Sequence, residues 1–188
     1  MHPVRFGGLD VALRVDNTAL VILEMNEDKV FEEYGIKVWP HIHPAKIRDD
    51  LLTIQRDVRM NSIGYDRLGT GELIKMFPTE LPMHPVISSM PTKQDIIGLI
   101  RGMFTAKKLL IHDSDLKREI TEQEKYISDA GNILYRHPQG FHDDRFWALG
   151  YACYVASKYL IGMPRYIAKV VPKPKSIDQD FDDMLKNI

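Results

Sequence analysis

The sequence predicts one α/β domain built on a mixed sheet, an antiparallel three-stranded meander followed by parallel strands, flanked by helices. Three observations carry this reading. In the first forty residues, apolar and β-branched runs alternate with polar turns of three or four residues, too short for the crossover that parallel neighbours require. Beyond residue 40 the apolar spacing becomes helical, with short strand-like runs between the helical ones. Finally, 188 residues that are 44% apolar and 27% charged can bury the core of one medium-sized domain.

The strands Val4–Leu13, Thr18–Met25 and Val30–Trp39 form the meander, separated by turns at Val15-Asp16-Asn17 and Asn26-Glu27-Asp28-Lys29. Pro44 opens an amphipathic helix in which Ile47, Leu51, Leu52, Ile54 and Val58 recur on one side. A strand over Asn61–Asp66 follows, then a short helix over Gly71–Phe77 and a strand over His84–Ser88. Thr92–Ala106 reads as a helix with Ile96, Ile97, Leu99, Ile100 and Met103 inward, and Leu109–Ile111 as a minor strand. Asp115–Ser128 is expected to be a polar helix capped by Ser114 or Asp115, Asn132–Tyr135 a last strand, and His142–Ile161 the longest apolar helix. This order of strands is that of a ribonuclease H-like sheet. The domain is expected to span 1–162. The tail 163–188 reads as irregular: it carries Pro164, Pro172 and Pro174, with five Lys or Arg between Lys158 and Lys175 and then four Asp against one Lys from Ser176 onward.

Several function classes are excluded or disfavoured. A lone Cys153 rules out an intramolecular disulfide framework and zinc sites built on several thiolates, and suggests a reducing compartment. The N-terminus lacks the apolar stretch of a signal peptide, and the longest nearly uncharged run, Phe146–Ser157, is too short to span a bilayer, so a soluble protein without membrane association is expected. A net charge of −1 argues against coating nucleic acid by bulk charge, though not against a local basic surface. No Gly-Lys pair occurs, hence no phosphate-binding loop for ATP hydrolysis.

The candidate chemistry lies in three acidic positions. Asp10 sits within Phe6-Gly7-Gly8-Leu9-Asp10-Val11, a run otherwise suited to a buried strand. An ionised carboxylate there costs several kcal/mol or more unless it is paired, hydrogen-bonded or metal-bound. Asp66 ends a strand ahead of the Gly-rich turn Arg67-Leu68-Gly69-Thr70-Gly71, and the carboxyl ends of strands are where open α/β sheets build sites. His142-Asp143-Asp144 opens the longest helix, where the macrodipole favours acids even without a function. Together the acids can converge on a divalent cation, and an all-oxygen donor set suits Mg2+ or Mn2+. Other features are read as structural. His41 and His43, bracketed by Pro40 and Pro44, form a linker, and Asp16 is a turn residue. Trp147, Tyr151, Tyr154 and Tyr159 pack a helix, and Cys153 is a buried small hydrophobe.

These residues, taken with Asp16-Asn17-Thr18-Ala19 after Asp10, Thr92-Lys93 at a helix start and Ala148-Leu149-x-x-Ala152 after His142-Asp143-Asp144, resemble the nuclease domain of the large terminase subunit of tailed bacteriophages and related viruses. The motifs run in order through residues 4–160. The resemblance implies a ribonuclease H-like fold and a metal-dependent endonuclease that cuts concatemeric double-stranded viral DNA during packaging in the host cytoplasm. It implies two Mg2+ or Mn2+ ions held by Asp10, Asp66 and Asp144, with Asp66 bridging, Asp143 as an additional or alternative ligand and His142 near the site. Adjacent helical residues point about 100° apart, so the choice between Asp143 and Asp144 stays open. Implied partners are an ATPase domain, a small terminase subunit and a portal. Phosphate contacts are expected from a basic rim, with Arg67, Lys93, Lys107 and Lys108 as the chosen candidates. Two other readings are kept: a junction-resolvase or transposase-like nuclease of the same fold, and a non-catalytic docking domain of a packaging motor.

Overall fold

The computed structural model describes residues 3–11, 17–40, 43–70, 75, 77–127, 133–137 and 142–161. A sheet of six strands runs through the centre, with spatial order β5-β4-β1-β2-β3-β6. Strands β1 (Val4–Asp10), β2 (Thr18–Met25) and β3 (Phe31–Trp39) form the expected antiparallel meander. Strand β4 (Ser62–Asp66) lies parallel to β1, β5 (Met83–Val86) parallel to β4, and the two-residue β6 (Leu109–Leu110) parallel to β3.

The return from β3 to β4 is made by α1 (Pro44–Val58), whose first turn is capped by His43: its Nδ1 accepts the Ala45 N–H at 3.2 Å. His43 is thus a cap in the linker it was assigned to, while His41 lies outside the described residues. Helix α1 covers one face of the sheet, burying Ile47 and Leu51 against Leu9, Leu20, Ile22, Trp39, Ile63 and Tyr65. The Trp39 indole donates to Asp50 of α1 at 2.9 Å, giving that large ring a partner for its one polar atom. On the other face lie α3 (Met90–Thr105), α4 (Ser114–Thr121) and α5 (Asp144–Ile161), packed over Phe6, Ala19, Val21 and Leu23. Fully burying a Phe, Val or Leu side chain contributes about 1.5–3 kcal/mol of transfer free energy. Cys153 is buried on α5, as its small apolar surroundings suggested.

Several expectations are corrected. The polar helix over Asp115–Ser128 stops at Thr121, because Glu124-Lys125-Tyr126-Ile127 forms a strand, β7, paired antiparallel with β8 (Ile133–Arg136). That hairpin is a separate two-stranded sheet, so the last strand does not join the central one. The cap of α4 is Asp113, whose Oδ1 accepts the Leu116 N–H at 2.7 Å, and not Ser114 or Asp115. Strand β1 ends at Asp10 rather than Leu13, and residues 12–16, including Asp16, lie outside the described set. The one-turn α2 occupies Arg67–Thr70, ahead of the helix expected over Gly71–Phe77, most of which also lies outside, as does the tail from residue 162.

Candidate metal centre

Alternation along β1 places Phe6, Gly8 and Asp10 on the face covered by α5, and Gly7 and Leu9 on the α1 face. On β4 the same alternation sends Gly64 and Asp66 toward α5, Ile63 and Tyr65 toward α1. The parallel register pairs Gly8 with Gly64 and Leu9 with Tyr65, so Asp10 and Asp66 end neighbouring strands at one edge of the sheet. The paired glycines form a trough for α5. A Cβ at Gly8 would stand 1.9 Å from the Ala148 carbonyl oxygen, and one at Gly64 would stand 2.6 Å from that of Tyr151. Main chain of the helix therefore rests directly on main chain of the strands. Helix α5 runs antiparallel to β1, with Tyr159 edge-on to Phe6 at 5.2 Å, and its first turn reaches Asp10.

The acids that the sequence singled out are thus brought together. Burial pushes the Asp10 carboxyl well above its ordinary range; repulsion from Asp144, then Asp143, then Asp66 adds to this, and Lys93 opposes it. Asp144 is 6% exposed and accepts the Asn17 side-chain N–H at 3.3 Å; His142, largely exposed, holds Nδ1 3.9 Å from the same carboxylate oxygen. Asp143 turns differently: its Oδ2 accepts the Trp147 indole N–H at 2.9 Å, and its Oδ1 is 3.8 Å from His137 Nε2. Asp66 caps α2, accepting the Leu68 N–H at 2.9 Å through one carboxylate oxygen. Behind the acids, burial and then the charges of Asp10 and Asp66 hold the Tyr151 hydroxyl protonated well beyond its ordinary range, beside Ser88.

The donor set fits a hard divalent cation. Carboxylates from three separate elements lie within electrostatic reach of Asp10, and a cation among them would offset the repulsion that adds to the effect of burial on its carboxyl. Among the described residues no three acidic, histidine or cysteine side chains stand close enough together to hold a metal ion as they lie, and one oxygen of Asp66 and one of Asp143 are engaged elsewhere.

Sequence reasoning missed the supports. Glu119 of α4, 4% exposed, accepts the Phe146 N–H at 3.0 Å and the Arg145 guanidinium at 2.7 Å, tying the first turn of α5 beside Asp144. Burial raises the Glu119 carboxyl and the Arg145 contact opposes it. Only non-local packing identifies these partners; Asn17 alone lay within a motif already noted.

Of the basic candidates, Arg67 follows Asp66 directly and is exposed, and Lys93 lies within electrostatic reach of Asp10. Lys107 and Lys108 stand at the other end of the sheet, where the Lys108 ammonium donates to the Asp28 carbonyl at 2.8 Å. Six strand steps, about 20 Å, separate that end from Asp10.

Six strands in this order, with acids converging where two parallel strands meet a helix start, define a ribonuclease H-like domain with a candidate metal centre. The terminase RNaseH-like domain family matches residues 7–154, and the chain belongs to that family. The fold is similar to the large terminase nuclease of thermophilic phage G20c (TM-score 0.72, 15% identity, 80% of this chain and 81% of that one). A magnesium-bound structure of that nuclease superposes with the same TM-score at 16% identity, covering 81% of each chain. The large terminase of bacteriophage HK97 matches at TM-score 0.67 and 14% identity, over 82% of this chain and 40% of that one. Comparison with curated proteins by sequence returns no match. Among the described residues no helix is long and apolar enough to cross a membrane.

Proposed function

We propose that this domain is the Mg2+- or Mn2+-dependent endodeoxyribonuclease of a viral DNA-packaging terminase, cutting concatemeric double-stranded DNA. What supports the reading is that Asp10 and Asp66 end adjacent parallel strands, with Asp144 within electrostatic reach of Asp10, in a chain of the terminase RNaseH-like family. That relatives of the same fold were solved with magnesium, cobalt and manganese supports a divalent metal here.

Asp10, Asp66 and Asp144 would hold the metal in this reading, with Asp143 assisting. Bound there, divalent cations supply an activated water and offset charge on the scissile phosphate and its leaving oxygen. The chain's own residues hold and orient. Asn17 steadies Asp144 by its amide, and Glu119 and Arg145 fix the helix that carries it. Lys93 and Arg67 draw the phosphate backbone toward the acids, and His142, open to solvent, accepts or returns a proton near Asp144. Lys107 and Lys108 serve at most as distant backbone contacts.

The fraction of the HK97 large terminase that this domain matches supports a larger assembly around it. We assign an ATPase domain, a small terminase subunit and a portal as its partners, and the host cytoplasm as its place of action. The test is supercoiled plasmid incubated with the purified chain in Mg2+, Mn2+ or EDTA beside an Asp10→Asn/Asp66→Asn variant. Metal-dependent cleavage by the native chain alone is expected. A folded, metal-binding chain that never cuts, even joined to an ATPase domain, would point to the docking role instead.

A further inference from the structure

Trp147 occupies the turn of α5 that faces the acids and does two things at once. Its indole N–H, four residues on from Asp143, donates to Asp143 Oδ2 at 2.9 Å, and its ring lies under the Lys93 ammonium at 4.7 Å. The ring is 8% exposed, set edge-on to Phe146 at 5.3 Å and tilted on Tyr151 at 6.4 Å, so the indole is held on both sides. A packed aromatic with two χ angles makes a stiff support, and a hydrogen bond from it fixes the rotamer of the carboxylate it meets.

We propose that Trp147 is a positioning residue of the metal centre, holding Asp143 in one rotamer, with Oδ2 committed to the indole and Oδ1 left on the side of His137, 3.8 Å from its Nε2. The inference rests on the metal-dependent reading above. It explains how two adjacent carboxylates at the start of one helix take different parts: Asp144 is nearly buried against Asn17, and Asp143 is restrained by the indole. Lys93, which lowers the Asp10 carboxyl from the same side, is seated by the face of the same ring. Partners of this kind typically change metal affinity 10- to 100-fold when removed.

Two measurements test it without relying on activity. In the first, Mn2+ affinity is measured by calorimetry for the native chain, Trp147→Phe, Asp143→Ala and the double variant. Phe keeps an aromatic ring but loses the N–H together with the volume of the fused five-membered ring, a packing loss common to both backgrounds. Trp147→Phe is expected to weaken Mn2+ binding about tenfold and to have no further effect when Asp143 is already Ala. A ring needed only for packing would weaken both backgrounds equally, and that additive result would overturn the proposal. In the second, the two indole N–H resonances of the native chain are followed during Mg2+ titration. The one lost in Trp147→Phe should shift with saturation, and that of Trp39, bonded to Asp50 under the opposite face, should stay. A stationary Trp147 resonance in a chain that calorimetry shows to bind metal overturns the proposal alone. No metal binding by the native chain overturns the metal reading and this inference with it.

Discussion

Replacing Gly8 by Ala adds one methyl group at the point where α5 crosses β1, and the geometry sets its consequence. The new Cβ would lie 1.9 Å from the Ala148 carbonyl oxygen and 2.3 Å from the Ala152 nitrogen, both main-chain atoms. No rotamer change relieves such a contact, and ordinary separation is about 3.3 Å, so helix and strand must part by roughly 1–1.5 Å. Overpacking of this kind costs about 1–3 kcal/mol, which for a domain of this size lowers Tm by about 2–4 °C per kcal/mol. The larger effect is on the site. Asp144 starts the helix that must move and Asp10 ends the strand it moves from, so the acids separate, and a displacement near 1 Å can cost about 100-fold in rate. Gly35→Ala is the control, because nothing lies within 4 Å of a Cβ there. The assays are thermal melting, Mn2+ calorimetry and initial rates of plasmid cleavage. A Gly8→Ala chain that melts, binds metal and cuts like the native protein would refute the packing of α5 on β1 described here.

Three further outcomes are expected. Asp66→Asn should abolish metal-dependent cleavage while leaving the circular dichroism spectrum native, since it removes a charge at the sheet edge and no core contact; undiminished nicking would remove Asp66 from the site. Gly98→Ala, at an exposed position within α3 where nothing lies within 4 Å of the added methyl, should stabilise the domain by about 0.5–1 kcal/mol, and an unchanged or lower urea midpoint would contradict the helix there. Cys153, its thiol pushed up to about 12 by burial, should resist a disulfide reagent at pH 8 until denaturant is added; rapid labelling of the folded chain would show that the core around α5 is open.

The meander, α1 and α5 were legible in the chain because each writes its own pattern: a short apolar, β-branched run bounded by turns through Thr18–Met25, helical spacing from Ile47 to Val58, a long uncharged run from Phe146. The β7–β8 hairpin was not, since Glu124-Lys125-Tyr126-Ile127 follows a helix without a strong stop and becomes a strand only by pairing with Ile133–Arg136. Asp113 was overlooked as a cap because three neighbouring polar residues offer the same local chemistry, and the helix start chose among them.

For the site, residue types alone named the acids: a carboxylate ending an apolar strand, another before a glycine turn, and a pair at a helix start are local patterns with a local cost. What joins them is not local. The Gly8–Gly64 register brings Asp10 and Asp66 to one edge, and close contact of α5 with both strands carries Asp144 to Asp10. The phase of that helix, which turns Asp143 to Trp147 and Asp144 to Asn17, is set by side-chain packing and by Glu119 and Arg145. Sequence by itself determined which chemistry this chain can hold, because burial cost and periodicity belong to each segment alone. Tertiary structure decided which groups meet and in what orientation, because strand register and helix rotation are fixed only when distant surfaces pack.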